Sequence, residues 1–190
     1  MNSRRLASLI ALTASCLALQ LIPRPPNVEF TSFFAFVVGL TQGAVIGAFF
    51  GSFVMFVNGF LSPWGFGGLN MPFQMLGMAI AGILGGFYKR FTQNMNFSAR
   101  FCLETAILGG SIALVYDLIT NVGYGFQLVL TGMDPTLALF SAIAYGSFFS
   151  LAHVLSNSAV FGAMFLPLAN MLNSLKIGEL PWSKKERLYS

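Results

Sequence analysis

Charged side chains are scarce in this chain. Asp, Glu, Lys and Arg together make up 8% of its 190 residues, whereas a soluble domain carries roughly a quarter. Hydrophobic residues reach 56%, which is more apolar surface than a water-soluble fold of this size can bury. The sequence therefore predicts an all-α, multi-pass integral membrane protein of the cell membrane, in contact with lipid and built as a single domain over residues 1–190.

The sequence also lacks the patterns that carry catalysis or metal binding. It has one histidine and two cysteines, Cys16 and Cys102, which lie in apolar stretches and form neither a disulfide framework nor a zinc spacing. No His-Glu-x-x-His, Gly-x-Ser-x-Gly or phosphate-binding loop occurs. Basic residues interleaved with aromatics are missing too. We expect no catalytic residue, no metal, no cofactor and no nucleic-acid partner.

The lengths of the apolar segments, compared with a bilayer, predict six membrane spans. A span needs about 20 apolar residues, but the stretch at 30–60 would form one helix of about 46 Å. Dividing it near residues 39–43, and allowing one crossing in 135–175, places nine of the ten basic residues in the cytoplasm, as the positive-inside rule requires. The predicted spans are about 6–22, 30–41, 43–60, 71–88, 101–122 and 150–174, with both ends inside and an outer lid segment at about 135–148.

The first span has a second interpretation. Arg4 and Arg5, followed by a short apolar run that ends in small residues, also resemble a secretory signal peptide. Cleavage would leave the remaining topology unchanged. The placement of charge is therefore compatible with a retained first helix and with a removed signal.

Small residues form three stripes along the predicted helices. Glycines recur at 39, 43, 47 and 51, and small residues at 77, 81 and 85. Such stripes let membrane helices approach closely, so we expect these two to pack inside the protein. The first helix carries a third stripe, which fits either internal packing or docking on another protein: Ala7, Ala11, Ala14 and Ala18.

Two pairs of polar residues lie within the predicted spans, where ionisable groups are expensive and usually functional. Asp117 and Asn121 are four residues apart near the outer end of the fifth helix. His153 and Asn157 repeat this spacing near the outer side of the sixth. The pairs lie at similar depth, so they can face each other. They fit either an outward-facing ligand pocket or hydrogen bonds that hold the helices together.

The predicted outer loops supply further candidates for a binding site. The segment 58–70 is rich in Gly and Pro, which set turns. Its Trp64 fits either an aromatic belt at the membrane interface or the cap of a pocket that stacks on a planar ligand. The polar candidates in and beside these loops are Asn27, Glu29, Asn58, Asn70 and Gln74.

Several short sequences match one family of transport proteins. Pro-Asn-Val at 26–28 is similar to the family's first loop, and Pro-Trp at 63–64 with Pro-Phe-Gln-Met at 72–75 to its third loop and fourth helix. Tyr-Asp-Leu-Ile-Thr-Asn at 116–121 and His-Val-Leu-Ser-Asn at 153–157 are similar to motifs of its vitamin-related and uncharacterised members. Ala7 and Ala11 match its Ala-x-x-x-Ala motif. Over most of its length the chain resembles the S components, the substrate-binding subunits of energy-coupling factor (ECF) transporters.

The resemblance implies a six-helix subunit that binds a vitamin or related micronutrient from outside. In such transporters the first helix docks through its alanines on a transmembrane coupling subunit, which joins two cytoplasmic ATPase subunits. The substrate site then lies among the outer loops and the outer ends of helices four to six. Members carry different vitamins or metals, so the substrate stays open; no N-terminal metal-binding sequence of the nickel and cobalt type is present.

Two other functional classes compete with a transport subunit. A structural or assembly membrane protein would use the polar pairs only as interhelical hydrogen bonds and would bind no small molecule. A membrane enzyme would use Asp117 and His153 as acid and base, within hydrogen-bond reach of a reacting group. The sequence supplies neither a nucleophile nor a metal site for such an enzyme, so we expect a binding subunit without catalysis.

Overall fold

The described part of the chain is built mainly of α-helices. In a computed structural model, residues 3–63, 65–91 and 99–174 are described. Within them lie six α-helices and, at Gly68–Asn70, one short 3-10 helix. The α-helices are α1 (Ser3–Leu21), α2 (Thr31–Gln42), α3 (Ala44–Leu61), α4 (Met71–Phe91), α5 (Ala99–Leu130) and α6 (Pro135–Ser174).

Helix length divides the six helices into two groups. Four of them, α3 to α6, are long and apolar enough to cross a membrane, while α1 and α2 are shorter apolar helices. The predicted all-α membrane fold is confirmed at this coarse level. With its 12 residues, α2 is about 18 Å long, well short of a hydrocarbon core of about 30 Å.

The short helix α2 occupies the centre of the bundle. Its residues 31–41 are all buried, and it packs against α3 and α4. Phe33 and Phe36 meet the ring of Phe161 from α6, with ring centroids 5.2 and 5.4 Å apart. A helix that is buried all round has neighbouring protein on every side. The other helices therefore surround α2.

Glycine allows α2, α3 and α4 to approach closely. Gly43 separates α2 from α3 with a φ of 107°, a backbone conformation that glycine adopts readily. A Cβ atom on Gly39 would lie 1.9 Å from the carbonyl oxygen of Gly82, and one on Gly82 would lie 2.2 Å from the backbone of Gly47. The glycine stripes therefore pack inside the protein, where small residues bring helix backbones into contact.

Both α5 and α6 are longer than the spans predicted for them. α5 has 32 residues and continues to Leu130, and α6 has 40 residues. Residues 135–148, predicted as a partial helix or lid on the outer side, form the first part of α6, so this helix begins at Pro135 and not near residue 150. No proline occurs between 136 and 166, and a lone glycine such as Gly146 costs a helix only about 1 kcal/mol. The packing of α6 along α5 is enough to keep α6 helical through Gly146.

The loops gather at one end of the bundle. Because consecutive helices pack antiparallel, the connections at 22–30, 62–70 and 131–134 lie at the same end, here called the pocket end. The first residues of α1 and α5 lie at the opposite end. This arrangement brings the pocket-end halves of α5 and α6 beside the start of α4 and the loop at 22–30.

Candidate functional site

A buried polar cluster links α5, α6 and the loop before α2. His153 Nδ1 lies 2.8 Å from Asp117 Oδ1, and its Nε2 lies 3.1 Å from Glu29 Oε1. Asn157 Nδ2 donates to the same Glu29 oxygen at 3.2 Å. None of these four residues is more than 8% exposed. The cluster therefore joins three parts of the chain through buried side chains.

The hydrogen bonds restrict the protonation of this cluster. An ionised carboxylate can only accept hydrogen bonds, so two of them on one imidazole require a proton on both ring nitrogens. His153 is then a cation between Glu29 and Asp117, and the three side chains together carry one net negative charge. A neutral imidazole would need one carboxyl to hold a proton instead. In both states each ring nitrogen of His153 is already engaged.

Glu29 lies beside the N-terminus of α2. Its carboxylate accepts the backbone N–H of Ser32 at 3.0 Å and the Ser32 hydroxyl. The helix dipole favours a negative charge in this position. Burial raises the pKa of Glu29, but the hydrogen bonds from His153 and Ser32 and the charge of His153 outweigh it and lower the pKa to about 2. Glu29 is therefore a carboxylate at neutral pH.

Two residues hold the loop at 22–30 in place. Arg24 donates to the backbone carbonyls of residues 19, 20 and 28, which satisfies the last carbonyls of α1. Asn27 has a φ of 60°, a left-handed conformation that asparagine tolerates. Its carbonyl accepts the Ser156 hydroxyl at 3.1 Å. The loop is thus fixed against α6, and Glu29 is carried to His153.

Two adjacent cavities open beside the cluster. The tyrosine cavity, between α4, α5 and α6 and walled by Tyr124 and Tyr145, has a volume of 220 Å³. The loop cavity, lined by the loop at 22–30 together with α3 and α4, has a volume of 310 Å³. Asn27, Gln74 and Tyr116 line both. Of the predicted site residues, those that line one or both cavities are Asn27, Glu29, Asn58, Asn70, Gln74, Asp117, Asn121 and His153.

Two predicted substrate-site residues, Asn157 and Trp64, are not among the described residues that line the cavities. Asn157 lines neither cavity and bonds to Glu29 beneath them. Asn121 does not meet Asn157: it lies against Gly146, where a Cβ atom would come within 2.3 Å of its Oδ1. Of the two pairs, Asp117 and His153 are the residues that meet. Trp64 lies outside the described residues.

An aromatic wall of the tyrosine cavity was missed by the sequence interpretation. The rings of Tyr124 and Tyr145 lie 6.1 Å apart, and those of Tyr145 and Phe149 lie 5.6 Å apart. Helical spacing holds the signal that could have found them, because Tyr124 follows Asp117 by seven residues and Phe149 precedes His153 by four. The aromatic wall thus shares helix faces with the polar pairs.

The alanine stripe of α1 lies on the outside of the bundle. Ala7, Ala11, Ala14 and Ala18 are all exposed, whereas Cys16 on the opposite face is fully buried. Among the described helices, none covers the stripe. The stripe is therefore left uncovered by the part of the chain that the structure describes.

The comparisons with known proteins leave the site to be interpreted from its own geometry. Searches of family models, of curated proteins and of solved structures each returned no match for the chain. The cluster, the two cavities and the exposed stripe on α1 are therefore the features from which function is inferred.

Proposed function

We propose that the chain is the substrate-binding subunit of an ECF-type importer, which captures a vitamin or related micronutrient from outside. The observation that carries the proposal is the convergence of polar side chains from the 22–30 loop, α4, α5 and α6 on two cavities of 220 and 310 Å³. Small-molecule sites are concave and hold a few placed polar groups between apolar walls. The tyrosine and loop cavities have this composition.

The proposed topology has six crossings of the cell membrane, with both chain ends in the cytoplasm. Arg5 and Arg100 lie near the starts of α1 and α5, opposite the pocket end. Basic residues mark the cytoplasmic side of a membrane protein. The pocket end then faces outward, where a substrate arrives.

The exposed alanine stripe is the proposed docking face for the transmembrane coupling subunit. Small side chains allow a partner helix to approach the backbone of α1 closely, and none of the described helices occupies this face. Two cytoplasmic ATPase subunits would supply the energy, because the chain has no phosphate-binding loop of its own.

Purification of the tagged chain from its native membrane tests the proposal. We expect a coupling subunit and two ATPase subunits to copurify with it. Ala11→Trp places a bulky indole in the stripe and should remove them, while Ala159→Trp, at an exposed position of α6, should keep them. A preparation without ATPase subunits, or one in which both variants behave alike, contradicts the proposal.

A structural or assembly protein is the second candidate, and one observation favours it. Glu29, Asp117, His153 and Asn157 bond to one another, as interhelical hydrogen bonds do. A structural role does not explain the two cavities beside these residues. An enzyme is less well supported, because a base needs a free ring nitrogen within reach of its substrate, and both nitrogens of His153 are engaged.

A further inference from the structure

A carboxylate oxygen beside the tyrosine cavity lacks a partner among the described residues. Asp117 lines the cavity and is 5% exposed; its Oδ1 bonds to His153, while its Oδ2 is buried without a hydrogen bond among the described residues. Buried polar atoms are nearly always hydrogen-bonded in proteins. An ionised carboxylate oxygen can only accept a hydrogen bond, whereas a buried amide group can rotate so that its nitrogen donates one instead. When both ring nitrogens of His153 carry a proton, Asp117 is a carboxylate, and the missing partner of its Oδ2 is a donor.

The lining of the tyrosine cavity offers no positive charge to an anion. Among the described residues, neither Lys nor Arg lines it, and its other polar side chains are amides and hydroxyls. Arg24 belongs to the loop cavity, where its guanidinium bonds to backbone carbonyls. A buried anion without a counterion is strongly disfavoured. An acidic ligand in the tyrosine cavity would place its negative charge next to the carboxylate of Asp117.

Aromatic faces complete the cavity. Tyr124 and Tyr145 are inclined by 33° to each other, and Tyr145 and Phe149 by 49°. Tilted and offset arrangements suit the packing of a further flat ring. The faces of Tyr and Phe also attract cations that lie within about 6 Å of the ring centroid. The wall and the carboxylate thus favour the same kind of ligand.

We infer that the tyrosine cavity binds a small flat ring that carries a positive charge or an amidine-like pair of N–H donors. The donor lies on Asp117 Oδ2, and the ring packs against Tyr124 and Tyr145. This inference rests on the proposed function, because it takes the cavity to be the substrate site. It names the substrate class as a cationic or N–H-donating heterocycle and excludes carboxylates and phosphates from this position.

Three probes of the same shape and different charge test the inference: benzamidinium, benzamide and benzoate. Binding to the purified full chain in lipid nanodiscs is measured by calorimetry or by ligand-observed NMR. We expect benzamidinium to bind with a Kd of about 1 mM, as suits so small a ligand, and benzamide about tenfold more weakly. Benzoate binding as tight as that of benzamidinium, or no saturable binding of any probe, overturns the inference.

Two variants separate the carboxylate from the wall. Asp117→Asn keeps the shape of the side chain and should weaken benzamidinium about tenfold while leaving benzamide within about twofold. Tyr145→Leu touches none of the buried cluster and should weaken benzamidinium about fivefold. Unfolding temperatures of both variants are measured alongside. Unchanged benzamidinium affinity in both variants overturns the inference.

The results also separate this inference from the proposed function. Copurification of ATPase subunits does not depend on the charge of a probe. If those subunits copurify and benzoate is preferred, the substrate class is wrong and the transport proposal stands. If benzamidinium is preferred and no ATPase subunit is found, the chemistry of the cavity stands and the transport proposal is wrong.

Discussion

Replacing His153 with alanine removes the side chain that bridges Glu29 and Asp117. Glu29 would keep its bonds from Ser32 and Asn157, while the Asp117 carboxylate would lose its bond to the ring. Both carboxylates would stay in positions that are 8% and 5% exposed. The change therefore leaves buried negative charge without its counterion.

The decrease in the free energy of unfolding distinguishes a charged cluster from a neutral one. Removing one partner of a buried ion pair costs about 3–5 kcal/mol. Neutral side-chain hydrogen bonds between membrane helices contribute about 0.6 kcal/mol each, so the two bonds of His153 would account for roughly 1 kcal/mol. With His153 as a cation between two carboxylates, we expect the free energy of unfolding to fall by about 3–5 kcal/mol.

Equilibrium unfolding in mixed micelles, titrated with SDS and followed by circular dichroism, measures this loss. The matched control is the triple variant His153→Ala, Glu29→Gln, Asp117→Asn, in which no carboxylate is left unpaired. We expect it to recover most of the lost stability, because neutral groups are far cheaper to bury. A loss of about 1 kcal/mol or less in His153→Ala, with no recovery in the triple variant, would refute the charged cluster.

Two further predictions concern the helix crossing and the pH dependence of stability. A Cβ atom on Gly82 would lie 2.2 Å from the Gly47 backbone, whereas the atoms nearest to a Cβ atom on Gly125 would be 3.5 Å away or more. Gly82→Ala should therefore lower the free energy of unfolding by about 3 kcal/mol in the same SDS titration, and Gly125→Ala should be tolerated. Because the pKa of Glu29 is lowered from 4.5 to about 2 in the folded chain, the free energy of unfolding should decline as the pH falls from 4.5 towards 2. Glu29→Gln should remove that part of the decline, and an identical pH profile in the variant would contradict the assignment.

The sequence carried much of the information about helix number but less about helix position. The length of the 30–60 stretch indicated a division, and Gly43 lies where the two helices part. The central position of α2 could not be predicted, because its apolar side chains would suit lipid as well as protein. Its burial is decided by close backbone contacts such as that between Gly39 and Gly82.

The extent of α6 was misjudged for a related physical reason. Bilayer thickness limits the length of a span, and the limit was used to separate 135–148 from 150–174. A helix ends where backbone propensity or packing ends it, and neither changes near residue 149, so α6 continues for 40 residues. At 1.5 Å per residue it is about 60 Å long, twice the thickness of the hydrocarbon core.

The candidate site was predictable within helices and not between distant segments. Helical spacing predicted that Asp117 and Asn121, and likewise His153 and Asn157, share a helix face. Asp117, Asn121 and His153 line the tyrosine or the loop cavity, whereas Asn157 lines neither. The bond between His153 and Glu29 joins residues 124 positions apart. It depends on a loop conformation that is set by Arg24 and by the left-handed backbone of Asn27. Residue spacing does not predict such a conformation.

Mass spectrometry of small molecules released from the purified chain tests the central claim, that the pocket end binds a micronutrient, most directly. Thr120 lines the tyrosine cavity, and Thr120→Trp would fill much of it; Ala159→Trp, exposed on α6, is the control. We predict one small organic molecule per chain in the wild type and in Ala159→Trp, and its loss in Thr120→Trp. A wild-type chain that releases only lipid, or a molecule that Thr120→Trp retains in full, would contradict the account.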